Sequence, residues 1–178
     1  SAASDVYKRQ AMALVDALLP EFDHEIASTR RLLDRLPEQQ LAWKPHAKSM
    51  ALGALAEHLG QLGVWGELTL TQSAVDLETT ARRPGYQPMT AKADILAHFD
   101  ARMAAARAAL VGRTDAELMA PWTLRRGAQE FFTMPKASCW RTFVMNHLIH
   151  HRGQLTVYLR ELDVPLPSIY GPSADEAM

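Results

Sequence analysis

Cysteine is almost absent from this chain. A single residue, Cys139, rules out an intramolecular disulfide and fits a reducing compartment. Long apolar runs are missing as well. None approaches the roughly 18 residues needed to span a bilayer, and no basic start followed by an apolar stretch marks a secretory leader. Neither sign of charge is in excess, with 19 basic residues against 20 acidic and a net charge of -1. No basic run or aromatic-basic interleaving stands out, which argues against nucleic acid as a partner. These absences lead us to expect a soluble, cytoplasmic protein with neither membrane nor nucleic acid as its partner. No apolar-polar alternation persists beyond a few positions, so no extended sheet is expected.

What is present is helical periodicity. The first ten residues, "SAASDVYKRQ", lack it and resemble translated adapter sequence; they read as a non-native or disordered stretch 1–10 before one domain spanning 11–178. After Pro20, placed as a first-turn proline, Phe22, Ile26, Thr29, Leu33 and Leu36 recur at helical steps up to Pro37. Ser49 is placed to cap a second helix carrying Ala51, Leu55, His58, Leu62 and Trp65 on one face. The stretch "RRPGYQPM" breaks the pattern. Thr90 is placed to cap a third helix with Ile95, Phe99, Met103, Ala106 and Leu110. "TDAE", Thr114 to Glu117, has capping-box spacing, and Trp122 to Met134 reads as a loop or short hairpin turning about Gly127. A fourth helix from Pro135 to Leu162 carries Trp140, Val144, His147, His151, Leu155, Tyr158 and Leu162, and "VPLP" stops it. Four amphipathic helices predict an all-α four-helix bundle with a short hairpin or loop excursion before the last helix.

Histidine is the residue out of place. "NHLIHHRGQL", Asn146 to Leu155, puts three imidazoles in a segment that otherwise reads as core. His147 and His151, four apart, share one helical face, and His58 holds an equivalent position on the second helix. A buried imidazole needs a partner. The three are either satisfied core histidines or ligands of a metal in the bundle, with His150 as the rival ligand. His24, His46 and His98 read as ordinary surface or half-buried residues. Three neutral ligands leave a divalent ion's charge uncompensated and a coordination position open, which favours hydroxide or thiolate there. Imidazole suits zinc, nickel, copper or iron. Arg152 is a candidate contact for an anionic substrate, weighed against an exposed arginine or a helix-surface ion pair. Gln61 and Gln154 sit one turn from proposed ligands, where they can orient them. Glu57 is not assigned as a general base, and Cys139 is read as an inert small residue.

"SMALGALAEHLGQLGVWG", "NHLIHHRGQLTVYLR" and "VPLPSIYGPSADE" together resemble the DinB/YfiT-like family of DNA-damage-inducible proteins, over roughly Pro20 to Glu176. The resemblance implies a four-helix bundle in up-down-down-up order, often a homodimer. It also implies a divalent metal held by one histidine of the second helix and an H-x3-H pair of the fourth, here His58, His147 and His151. Family members with known activity include thiol-dependent transferases and isomerases that bind a low-molecular-weight thiol as thiolate. The expected function is therefore a metal-dependent (zinc, nickel or iron), thiol-dependent transferase. The alternatives are a metal-dependent hydrolase and a non-catalytic metal- or ligand-binding stress protein. No residue is assigned to catalysis beyond the ligands.

Overall fold

A computed structural model describes residues 12–80 and 88–177. The N-terminal stretch 1–10 and most of the "RRPGYQPM" break lie outside them. The elements in chain order are α1 (Leu14–Leu33), α2 (Leu52–Thr71), β1 (Ala74–Asp76), α3 (Lys92–Leu110), α4 (Asp115–Met119), β2 (Pro121–Arg126), β3 (Gln129–Pro135), α5 (Lys136–Cys139) and α6 (Asn146–Glu161). A π-helical segment, Trp140–Met145, joins α5 to α6, so the expected fourth helix is one helical run in three pieces. Its stop at the "VPLP" segment is as expected, with Asp163 in the left-handed region (φ 55) just before it.

The helices start elsewhere than their polar residues indicated. The first helix begins two turns before Pro20, which therefore lies inside it. Asp16 supplies the reason, because its carboxylate accepts from the Ala13 N–H and Asp115 accepts from the Leu14 N–H. The second helix is capped by backbone rather than by Ser49. The Leu52 and Gly53 N–H groups donate to the carbonyls of Trp43 and Leu41 in the preceding link. The third begins at Lys92, whose N–H donates to Glu38, and Thr90 caps nothing there. The Thr114–Glu117 box forms as read: the Glu117 N–H donates to Thr114 Oγ1 at 3.2 Å, and the Thr114 N–H to Glu117 Oε2 at 2.8 Å.

Helix α2 is the centre of the molecule, packed on α3 and α6, while α1 closes the far side against the same two. Ile95, Phe99, Met103, Ala106 and Leu110 of α3 are all buried, as the spacing predicted. Three glycines at steps of three bring α2 and α3 close. A Cβ on Gly63 would lie 2.5 Å from the Arg102 carbonyl oxygen, and one on Gly60 would lie 2.6 Å from the His98 ring.

The purely helical expectation needs correction. The hairpin forms as read, turning at Gly127 with φ +56, where a side chain would be strained. However, β2 also pairs in parallel with β1, making a three-stranded sheet in the order β1-β2-β3. The Asp76 carboxylate fastens the corner by accepting from the N–H groups of Glu78 and Gly127. This sheet has a small core of its own, with Val75, Trp122 and Cys139 buried between it and Trp65 and Leu68 of α2. The fold is mostly helical with a small sheet rather than a pure four-helix bundle. A three-residue strand such as β1 is too short for alternation to be read from sequence. Among the described residues no helix is long and apolar enough to cross a membrane.

Candidate metal centre

The π-helical segment and the histidines that follow it set the site. Trp140, Val144 and Met145 are buried, and beyond them the buried line of α6 continues through Leu148, Arg152, Leu155 and Leu159. His147 and His151 flank that line and are half-buried. They therefore sit at the edge of the core, where a ligand has access, and not at its centre as the sequence stripe implied. His58 of α2 is half-buried opposite them.

The three rings converge. His58 Nε2 lies 3.4 Å from His147 Nε2, and His147 Nε2 lies 2.8 Å from His151 Nε2. One nitrogen from each of the three falls within 4.8 Å of the others. An ion about 2.0–2.1 Å from each nitrogen of a tetrahedral set would hold them roughly 3.4 Å apart, so the donor set fits a small divalent cation.

A hydrogen bond on the outer side of one ring favours the same reading. His151 Nδ1 donates to Gln154 Oε1 at 2.7 Å. The neutral His151 ring then turns its Nε2 lone pair inward toward His147, free to accept a proton or a cation. The Phe143 backbone beside the His147 ring works the other way from burial, favouring a proton on that ring. Charge on the rings is nonetheless disfavoured. Burial, and then the neighbouring His151 and His147 rings, push His58 down to about 4. Burial is also the main cause lowering His147 and His151. The site is built to present neutral imidazoles.

The other candidates fall into place around it. His150 is exposed, its ring centroid 4.9 Å from that of His151, and it is not part of the converging set. Gln154 takes the orienting position expected of it, whereas Gln61 donates instead to Glu57 at 3.5 Å. Glu57 is buried and also accepts from the Met89 N–H. His24 and His46 are exposed, and His98 is half-buried beside Gly60.

Arg152 is the correction. It is neither exposed nor in a surface ion pair, but only 1% accessible. Its Nη1 lies 2.5 Å from Glu25 Oε2 of α1, and its Nη2 donates to the Tyr170 hydroxyl. Tyr170 in turn donates to Glu25 at 2.8 Å. The anion that Arg152 meets is internal. Charge alone gave no sign of this in the sequence, because Glu25 is distant along the chain. The terminal "YGPSADE" stretch explains the arrangement. Tyr170 locks onto Glu25 and Arg152, Asp175 pairs with Arg160, Glu176 pairs with Arg31, and Ser173 Oγ donates to the Leu166 carbonyl. The segment ties α1 to α6 behind the histidines.

Comparison with known proteins shows what the whole chain is similar to. Bacillus subtilis (strain 168) YrdA is 30% identical over 164 residues, 91% of each chain. A DinB-like protein of Bacillus cereus ATCC 10987 superposes with a TM-score of 0.65 at 26% identity, covering 85% of this chain and 95% of that one. The DinB-like YjoA of Bacillus subtilis shares the fold at 17% identity, with a TM-score of 0.64 over 91% of this chain and 99% of its own. Residues 11–178 match the DinB family, and the chain belongs to it.

Proposed function

We propose that the protein is a divalent-metal-dependent enzyme, a thiol-dependent transferase, in which His58, His147 and His151 hold one transition metal (zinc, nickel or iron). The observation that carries this reading is the convergence of three neutral ring nitrogens from two helices at the half-buried edge of the core. When bound, the ion supplies a Lewis-acid position that stabilises a low-molecular-weight thiol as thiolate, because three uncharged ligands leave its charge uncompensated.

This chain's own residues do the positioning. Gln154 fixes the outward nitrogen of His151. The buried Glu25–Arg152 pair, covered by Tyr170, anchors α6 against α1 one residue beyond His151. With Glu25 as its counter-ion, Arg152 is assigned to holding this helix rather than to substrate. A thiol with an ordinary pKa near 8.5 needs only a modest downward shift to react at neutral pH, whereas water must fall from about 15.7. The homodimer that the family likeness implies belongs to the same proposal, and sedimentation equilibrium measures it.

Cobalt-substituted protein titrated with the common cellular thiols tests the reading. A new charge-transfer absorption band, lost in His151→Ala, is expected. A cobalt spectrum unmoved by any thiol at millimolar concentration would overturn it. Ester or amide cleavage without thiol would then make the protein a hydrolase, and silence in both assays would make it a binding protein.

A further inference from the structure

Beside the histidines lies a cavity of about 200 Å³ between the sheet and the helices. Trp65 of α2, Trp122 and Leu124 of β2, Phe132 of β3 and Phe143 of the π-helical segment make its wall, and His147 stands at its edge. Phe132 and Phe143 stack with centroids 4.8 Å apart, and Trp122 leans on Phe132 at 6.0 Å, so the wall is a continuous aromatic surface. Among the described residues its lining holds no carboxylate, ammonium or guanidinium. The remaining polar groups are quiet. Burial pushes the Cys139 thiol up, keeping it neutral, and it shares a hydrogen bond with Thr69.

A space of this size suits one ring. An apolar cavity of roughly 150 Å³ is enough to take benzene. Water is a poor occupant, because the wall offers it few partners. One polar atom is nonetheless left over. Trp122 is 1% exposed, and its indole N–H has no acceptor among the described residues. A buried donor without an acceptor is costly. Trp140 has a similar orphan, but it belongs to the closed main core and not to the cavity wall. The Trp122 nitrogen is itself closed off, so an occupant's acceptor reaches it only as the indole shifts toward the space it lines.

We propose that this cavity is the substrate subsite, and that it takes an uncharged, ring-sized apolar group whose hydrogen-bond acceptor, such as a carbonyl oxygen, meets the Trp122 indole N–H. The inference rests on reading the histidines as the metal centre, since His147 is shared between them and the cavity. It names the class of molecule that is brought to that centre. Small amines are excluded, because no counter-ion waits for them inside, and small acids have none there apart from the ion at the histidines.

The test uses the full chain and four probes: acetophenone, ethylbenzene, benzoate and benzylammonium. Indole N–H resonances of 15N-labelled protein report binding, and Trp122→Phe identifies the Trp122 signal while keeping the wall's shape. Acetophenone is expected to shift that signal, benzylammonium is not, and benzoate is not once the ion is removed by chelation. The preference for acetophenone over ethylbenzene is expected to be roughly fivefold greater in the wild type than in Trp122→Phe, the size of one neutral hydrogen bond. Three results would each overturn the proposal: no shift with millimolar acetophenone, equal binding of the charged probes to the chelated protein, or an unchanged preference in Trp122→Phe. Repeating the titration after chelation separates the two ideas. Loss of the metal reading leaves acetophenone binding in place, and loss of the subsite leaves metal uptake in place.

Discussion

Arg152 and Glu25 form a buried ion pair, Nη1 to Oε2 at 2.5 Å, between α6 and α1. Tyr170 completes it from the C-terminal segment. Its ring also lies over the guanidinium, 4.9 Å from centroid to Cζ. Breaking such a pair from one side leaves a charge without its counter-ion in the core.

Removal of either charge is therefore expected to cost about 3–5 kcal/mol of stability, and Tyr170→Phe less, about 1–3 kcal/mol. Urea unfolding of Glu25→Ala, Arg152→Ala and Tyr170→Phe measures this. A loss under about 1 kcal/mol in both charge variants would mean that the pair is not the brace between these helices.

The glycines of α2 offer a contrast with the one in α6. Gly63→Ala drives a methyl group into the Arg102 carbonyl and is expected to destabilise by about 1–3 kcal/mol. Gly153 has nothing within 4 Å of an added Cβ, so Gly153→Ala is expected to stabilise by up to about 1 kcal/mol. Thermal melts of the two variants should move in opposite directions. Movement in the same direction would contradict the close α2–α3 approach.

Much of this was readable in the sequence, and what was not has physical causes. The α3 stripe, the Thr114–Glu117 box, the turn at Gly127 and the three converging histidines follow from spacing and local chemistry. Helix starts were misplaced where the cap came from afar, as with the Trp43 and Leu41 carbonyls in place of Ser49. The β1–β2 pairing joins segments far apart in the chain, and no local pattern reports such a pair. Arg152 was misread for a related reason. A charged residue looks solvent-exposed until its partner is known, and Glu25 is 127 positions away. The π-helical segment also hid the true face of α6, placing His147 and His151 beside the buried line instead of on it.

The metal-free protein should lose stability as the solution is acidified. All three histidines are lowered, His58 to about 4 from 6.5, chiefly by burial. Between those values the unfolded chain takes up protons that the native site refuses, so acid favours unfolding. The contribution is complete above about 6.5 and falls away toward about 4. Urea unfolding of the metal-free wild type and His58→Leu at several pH values isolates it from the carboxylates, which titrate in both. A shallower decline in His58→Leu is expected, and identical declines would contradict the assignment of that site.

Metal content bears most directly on the central claim. Elemental analysis of untagged wild type, His58→Ala, His147→Ala, His151→Ala and His150→Ala, each checked for helicity by circular dichroism, compares the converging set with its exposed neighbour. The expected result is one divalent ion per chain in the wild type and in His150→Ala, with loss of the ion in the other three. Full occupancy in His147→Ala together with loss in His150→Ala would contradict the site.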